Sequence, residues 1–439
     1  MTKAFRGGVH PNDFKGFSAE KSIEDFGIPS KVILLMSQHT GAPAEVAVSV
    51  GDEVKRGTLI GKSTGFISTN IHASVSGKVT SIGEHVHPVG APCVAVTIEP
   101  DGEDAWAEGM DIEVDASTVD GQGIRDAVLE AGVVGMGGAA FPTHVKLSPP
   151  EGKPIDTVVI NGVECEPYVT ADHRLMLEEP DRIVRGALLV TKAVEAKRVI
   201  IGIESNKPDA VQVMRARTAD EANVSVRTLH VRYPQGAEKQ LIRAVLGREV
   251  PSRGLPMDVG VVVQNVATCS AVANAVLRRR PLTERVLTVV GDVVGKPSNL
   301  RVRIGTLVSE VLGRCEVSED YRRLILGGPM MGISQSTADI PVTKGTNCIL
   351  LSRSVAPAKQ MPCIRCGRCV EVCPAGLVPS ALSNALERRN IDVVEALNIG
   401  DCMECGCCAY VCPSKRMIVQ QVKFGKSELA AHRKKAQTG

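Results

Sequence analysis

The chain has 439 residues, 44% of them hydrophobic and 23% charged, with a formal net charge of +2. That length implies about three or four domains, and the composition excludes a disordered chain. Near-neutral charge with only 3% aromatic residues leaves no basis for nucleic-acid binding, by phosphate attraction or by base stacking. The first eight residues hold no apolar core, so no signal peptide is expected. The best candidate span, 259–277, is interrupted by Gln264, Asn265, Thr268, Ser270 and Asn274 and does not qualify for crossing a membrane. The expectation is a soluble chain in a reducing cytosol, with any membrane attachment borrowed from a partner.

Residues 31 to about 100 alternate short strand-like runs with glycine turns. Val50-Gly51-Asp52-Glu53-Val54, Leu59-Ile60-Gly61, Ser76-Gly77-Lys78-Val79 and Val94-Ala95-Val96-Thr97-Ile98 carry the pattern. It resembles the barrel-sandwich of lipoyl and biotinyl carrier domains. Their modified lysine would fall near Gly65-Phe66-Ile67, where this chain has none, so the scaffold is expected without a swinging arm. His72, His85 and His87 read as polar loop histidines in preference to metal ligands.

From about residue 120 the period changes. Ile124, Ala127, Val128 and Ala131 share a helical face. Strand-like runs at 157–160, 199–203, 224–229 and 259–263 then alternate with helical stretches such as 182–196 and 237–246. Repeated strand–helix units predict a parallel sheet covered on both faces, with ligands at the C-terminal strand ends. Ahead of the first strand lies Gly132-Val133-Val134-Gly135-Met136-Gly137-Gly138-Ala139-Ala140-Phe141-Pro142-Thr143-His144-Val145-Lys146. Such glycine density lets backbone N–H groups approach an anionic or planar ligand, and Lys146 adds a positive charge; by itself it is equally a plain turn. Two strands run into polar ends, Asn161-Gly162-Val163-Glu164-Cys165-Glu166-Pro167 and Gln264-Asn265-Val266-Ala267-Thr268. Glu204, ending a third strand, reads equally as a ribose ligand or a solvated loop carboxylate.

Pro281 opens a further strand-rich stretch with strands at 285–290, 300–304 and 323–326 around a helix at 307–312, resembling a small β-grasp module. The turn from Gly327 to Gly332 shapes a loop. A linker at 352–361 leads to two equal cysteine runs: Cys363, Cys366, Cys369, Cys373 before Pro374, and Cys402, Cys405, Cys408, Cys412 before Pro413. This is the bacterial two-cluster ferredoxin spacing, in which each run's fourth cysteine serves the other 4Fe–4S cluster. Cys363, Cys366, Cys369 and Cys412 then hold one cluster, and Cys402, Cys405, Cys408 and Cys373 the other. Paired zinc sites are the rival, less suited to a third evenly spaced cysteine. Cys407 is off the pattern and reads as a buried filler. The 28 residues between the runs, with a helix expected over 379–388, point to the helical variant of this ferredoxin, and residues 432–435 to a frayed basic end.

The glycine loop is similar to the GxGxGGAGFPTGxK segment of the complex I flavoprotein subunit. The segment from Asn161 to Pro167 resembles its NADESEP, and that from Gln264 to Thr268 its NNVET. The resemblance implies that Gly135, Gly137, Gly138, Lys146, Asn161, Asn265 and Thr268 contact FMN, with Phe141, Glu164 and Glu166 near the nicotinamide nucleotide. Val163, Gln264 and Ala267 depart from it. Taken with Gly7-Gly8-Val9-His10-Pro11 and Tyr233-Pro234-Gln235-Gly236-Ala237-Glu238, the order of parts resembles the C subunit of the Rnf complex over nearly the whole length.

That family implies a multidomain α/β chain: a lipoyl-like barrel-sandwich (1–115), a Rossmann-like FMN/NADH domain (116–280), a β-grasp domain (281–350), a helical ferredoxin domain (351–425) and a basic tail (426–439). It implies a peripheral subunit on the cytoplasmic face of a membrane-bound ferredoxin:NAD oxidoreductase coupled to Na⁺ or H⁺ export. Its partners would be an iron–sulfur subunit, integral membrane subunits, NAD(H) and, indirectly, ferredoxin. Two rivals remain. A flavin/iron–sulfur cobalamin reductase resembles residues 120–425 but lacks the 100-residue leader. A non-enzymatic relay without flavin would account for the three departures. A hydrogenase or formate dehydrogenase flavin subunit is weaker.

Overall fold

The computed structural model describes residues 5–354 and 359–438, with side chains described through Arg433. Residues 355–358 of the expected linker and the first four residues lie outside the described set. At the centre is a four-stranded parallel sheet in the spatial order Val224–Leu229, Arg198–Glu204, Thr157–Gly162, Val261–Asn265. Its middle strands are near-continuous β-branched runs, as a sheet covered on both faces requires. Val158, Ile160 and Ile201 pack toward Pro180–Ala193 and Val266–Arg278, while Val159, Ile200 and Val263 pack toward Glu238–Leu246. The chain leaves Thr157–Gly162 in one direction and returns on its other side as Val261–Asn265. The strand order therefore reverses beside Asn161 and Asn265, which are register partners at the C-terminal ends, and that reversal opens a crevice. The fourth strand starts at Val261 because Pro256–Val259 forms a 3-10 turn ending in left-handed Gly260.

Two small antiparallel sheets make the barrel-sandwich. One has the order Val32–Leu35, Pro92–Pro100, Gly77–Val86, Glu53–Val54; the other is Glu45–Val46, Leu59–Lys62, Ile71–His72. His72 is not a loop histidine. It sits in a strand, is 6% exposed, and burial pushes its pKa down to about 3, so it stays neutral. The hairpin tip where carrier domains hold their lysine is docked instead: the Phe66 carbonyl lies 3.2 Å from His144 Nε2, on the helix that follows the glycine loop.

The β-grasp sheet has six strands in the order Ile23–Asp25, Ser298–Arg303, Glu284–Gly291, Cys348–Ser352, Arg323–Leu326, Ile333–Gln335. Its edge strand comes from the N-terminal segment, which pairs in parallel with a strand far along the chain (Ile23 with Asn299). In the cysteine region, Pro379–Glu387 and Ile391–Ala396 pack on Ile418–Thr438 through Leu382, Leu386, Val394, Ile399, Val422 and Leu429. That last helix corrects the expected frayed end. It continues through His432 and Arg433, and Arg433 pairs with Glu395 of the facing helix.

The tightest constraint on the crevice is the crossing of Pro180–Ala193 and Val266–Arg278. A Cβ built on Gly186 would lie 1.8 Å from the Cys269 carbonyl oxygen, a backbone atom that cannot swing away. Gly186→Ala should therefore separate the helices and cost about 3 kcal/mol or more. A loss of unfolding free energy in urea titration of less than a third of that would show that the crossing is looser than described.

Candidate functional site

The glycine loop borders the crevice at Asn265. Its base is a tight internal turn: Gly135 N–H donates to Phe141 O (2.8 Å) and Ala140 N–H to Gly135 O (3.1 Å). Thr268 Oγ1, in the first turn of Val266–Arg278, accepts from Met136 N–H at 2.8 Å. Asn265 caps that helix, its Oδ1 accepting from Ala267 N–H at 2.9 Å, and its Cβ lies 3.6 Å from where a Cβ on Gly137 would stand. Above Gly138, in the left-handed region at φ 117°, there is open space. The N–H groups of Gly137, Gly138 and Ala139 have no protein partner among the described residues. Successive unpaired N–H groups beside a helix N-terminus form a concavity suited to an anionic or electron-rich ligand.

The remaining residues converge on the same strand ends in different ways. Asn161 Nδ2 donates to Gly236 O at 2.8 Å. Lys146 Nζ reaches Val263 O (3.3 Å) and pairs with Glu238 at 2.6 Å, so its charge is balanced. Phe141 is half-buried. Glu164 sits at φ 46° and turns back to accept from Asp172 N–H (2.7 Å) and His173 N–H (3.2 Å) at the start of Ala171–Glu178. Burial, set against the nearby Lys15 and reinforced by Asp172, raises its pKa to about 7. Glu166 points away, accepting from Met330 N–H (2.8 Å) and Met331 N–H (2.9 Å) of the β-grasp turn, and burial pushes it up as well. Glu204 is neither solvated nor free for a ribose. It is 1% exposed, lies 3.6 Å from Lys207 and accepts from Arg232 N–H.

The eight patterned cysteines surround two separate hollows. Cys373, Cys402, Cys405 and Cys408 line one with Leu377, Ile418 and Val422; Cys363, Cys366, Cys369 and Cys412 line the other with Ser380 and Arg416. The division is that of the crossed-fourth-ligand pattern. Among the described residues no three His, Cys, Asp or Glu side chains converge as a single metal ion requires. Cys407, off the pattern, is fully buried against Tyr233 and Val9 and also borders the first hollow.

The two regions meet through one segment. Tyr233 Oη donates to Cys405 O at 2.7 Å, Gln240 Nε2 to Pro374 O at 2.9 Å, and three residues after Tyr233 the Gly236 carbonyl holds Asn161. From the N-terminal side, Gly8 N–H donates to Val372 O. A Cβ on Gly7 would lie 2.8 Å from the Cys373 backbone, which is why glycine is needed there.

Profiles of known families match in this same order: an "RnfC Barrel sandwich hybrid domain" over residues 3–103, a "Nuo51 FMN-binding domain" over 128–274 and a "4Fe-4S dicluster domain" over 362–416. The chain is 48% identical to the C subunit of the proton-translocating ferredoxin:NAD(+) oxidoreductase complex of Clostridium ljungdahlii, across 99% of this chain and 96% of that one. The chain belongs to the family of C subunits of ion-translocating ferredoxin:NAD oxidoreductase (Rnf) complexes. It is also 44% identical to the Na(+)-translocating counterpart of Acetobacterium woodii, over 98% of each chain. Among solved structures, an NAD+-reducing NiFe hydrogenase in the H2-reduced state is similar over 72% of this chain and 67% of that one, at 19% identity and a TM-score of 0.49.

Within this Rnf family fold, several site-forming residues carried no local signal. Asp172 accepts from Asn265 Nδ2 at 2.6 Å. Lys207 donates to the Val163 carbonyl at 2.7 Å, and Arg285 and Lys344 reach the loop from the β-grasp domain. All act over long range, and Lys207, Arg285 and Lys344 are buried, so only folding reveals them.

Lys344 is 1% exposed, and burial lowers its pKa from 10.5 to about 7. Between those values the unfolded chain holds a proton that the folded chain has released. Unfolding then takes up a proton, and raising the pH from about 7 toward 10 stabilises the fold, by up to roughly 1.4 kcal/mol per pH unit. Lys344→Met should lack this contribution. Melting curves of both proteins from about pH 7.5 to about pH 9.5, inside that window, check it, and parallel pH dependences would refute it.

Proposed function

We propose that the chain is the NAD(H)-reactive subunit of a membrane-bound, ion-translocating ferredoxin:NAD oxidoreductase, passing electrons between NAD(H), FMN and two 4Fe–4S clusters. The observation that carries this reading is the shared segment from Tyr233 to Gln240, which touches Asn161 at the crevice and both Cys405 and Pro374 at one cysteine hollow. A flavin supplies the needed conversion, since it takes two electrons as hydride and releases them singly. The protein's own work is to hold these sites rigid and near each other. Hydride transfer needs no general acid or base, and no side chain is assigned that role.

In this proposal the loop at Gly135, Gly137 and Gly138, through the unpaired N–H groups of Gly137, Gly138 and Ala139, holds the flavin together with Asn161, Asn265, Thr268 and Lys146. Phe141 and the backbone around Glu164 and Glu166 border the nicotinamide side, the two carboxylates fixing that backbone through the N–H groups they accept. The cluster of Cys402, Cys405, Cys408 and Cys373 is the inner one. The cluster of Cys363, Cys366, Cys369 and Cys412 is the outer one, where Cys366, Met361, Ile364 and Met417 are exposed and would face the partner. No helix among the described residues is long and apolar enough to cross a membrane. Attachment would therefore come from contact with an iron–sulfur subunit and integral membrane subunits at the cytoplasmic face, with ferredoxin reached through them. One relative is named for protons and another for Na⁺, so the coupled ion follows from the partners.

Anaerobic purification, flavin release and NADH titration followed by absorbance and EPR test the proposal. Stoichiometric FMN, bleached by NADH, with both clusters reduced is the expected result; absence of flavin together with unreduced clusters would leave only a relay. Cys402→Ala should keep flavin bleaching, lose the inner cluster's signal and slow reduction of the outer cluster by at least an order of magnitude. Cys363→Ala should spare inner-cluster reduction. If the two variants behave in the opposite way, the assigned order is wrong.

A further inference from the structure

Four carbonyls of the glycine loop, those of Gly132, Met136, Ala139 and Ala140, are held by donors from the barrel-sandwich and β-grasp domains. Lys344 Nζ donates to Gly132 O and to Asn70 O, both at 2.7 Å. Arg285 donates to Met136 O at 3.4 Å and to Lys344 O at 2.6 Å. Thr40, on the barrel-sandwich, donates through Oγ1 to Ala139 O at 2.9 Å and through its N–H to Ala140 O at 3.1 Å. In a trans peptide the C=O and N–H point in opposite directions. Fixing the Met136 carbonyl on Arg285 therefore turns the Gly137 N–H away from Arg285. Fixing the Ala139 carbonyl on Thr40 likewise leaves the Ala140 N–H aimed at Gly135 O, as observed. Between these anchors lie the three unpaired N–H groups of Gly137, Gly138 and Ala139.

We propose that Thr40, Arg285 and Lys344 are positioning residues of the flavin site, setting the peptide planes of residues 132–140 so that those N–H groups face the cofactor. The barrel-sandwich and β-grasp domains thereby become part of flavin binding. This rests on the reading that the loop holds FMN. A purely structural role is the alternative, but it explains the residue types poorly. Joining domains with apolar side chains would avoid the desolvation of two buried basic groups, whereas only donors can fix a carbonyl's direction. Glycine makes the brace necessary, because without a Cβ the loop has many backbone states to choose from.

The test uses the full chain, prepared anaerobically with both clusters and then depleted of flavin. FMN affinity is read from quenching of flavin fluorescence, and NADH KM and kcat are measured after reloading. Thr40→Ala should weaken FMN binding about 5-fold, the worth of one hydrogen bond, without altering cluster EPR or the melting temperature of the flavin-free chain. Lys344→Met should weaken it about 10-fold or more, and Lys344→Arg should recover part of the loss. Wild-type FMN affinity in Thr40→Ala and Lys344→Met overturns the proposal. If Lys344→Met does not fold, Thr40→Ala decides alone, its side chain being exposed. A wild-type chain that binds no FMN overturns the functional reading itself and this proposal with it.

Discussion

Electron transfer through a protein demands that its redox sites be close and stay close, and in this chain that demand falls on the segment from Tyr233 to Gln240. Its tyrosine hydroxyl holds the backbone at Cys405, its glycine carbonyl holds Asn161, and its glutamine holds Pro374. Glu238 adds an ion pair to Lys146 at the end of the glycine loop. Val9 pairs with Tyr233 in an antiparallel bridge, so the N-terminal strap is locked by the same element. Inter-domain interfaces are ordinarily loose enough for relative motion. Here the hydrogen bonds are buried or part-buried and made largely to backbone, which leaves few rotamers through which the interface can slip.

The second organising feature is the number of ionisable groups buried around the strand ends. Lys207 with Glu204, Arg285 beside Asp172, and Lys344 among carbonyls are each almost fully buried. Burying such charges weakens a fold relative to well-packed apolar residues, while removing one partner from a buried pair typically costs about 3–5 kcal/mol. Arrangements of this kind are poor stabilisers and good directors. Lys207 fixes the Val163 carbonyl and Lys344 that of Gly132, both of them backbone positions bordering the crevice. The structure has accepted desolvation at the one place where backbone direction matters.

How much of this was legible beforehand depended on the distance over which each signal acts. The cysteine runs and the strand–helix alternation are local patterns, and the two hollows divide the cysteines as the spacing implied. The glycine loop was visible for the same reason. The sequence could not show that Ile23–Asp25 joins a sheet whose other strands begin at Glu284, because a three-residue strand owes its existence to its partner. Glu204 read as a loop carboxylate because Lys207 and the Arg232 N–H that bury it belong to the fold. His72 misled in the same way, since two residues of strand carry too little alternation to reveal an inward side. The tail read as frayed because its charges looked solvated, yet Arg433 finds Glu395 on the facing helix.

The three departures from the complex I flavoprotein motifs can also be understood from where they sit. Val163 is fully buried among Ile200, Leu229 and Leu241, and its contribution to the crevice is a carbonyl, which any residue has. An aspartate there would place an unpaired charge in an apolar core. Ala267 lies at the start of the helix after Asn265, buried, and supplies its N–H to the cap. Gln264 is a strand residue 2% exposed. Val163 and Ala267 are read by the fold through backbone and bulk, Gln264 keeps a buried Nε2 with no hydrogen-bond partner among the described residues, and the open crest above Gly138 and the cap at Asn265 keep their chemistry. Loss of motif identity at these positions is therefore a repacking of the layer beneath the cradle. The relay reading drew its support from these changes, and that support weakens once they are placed in the core.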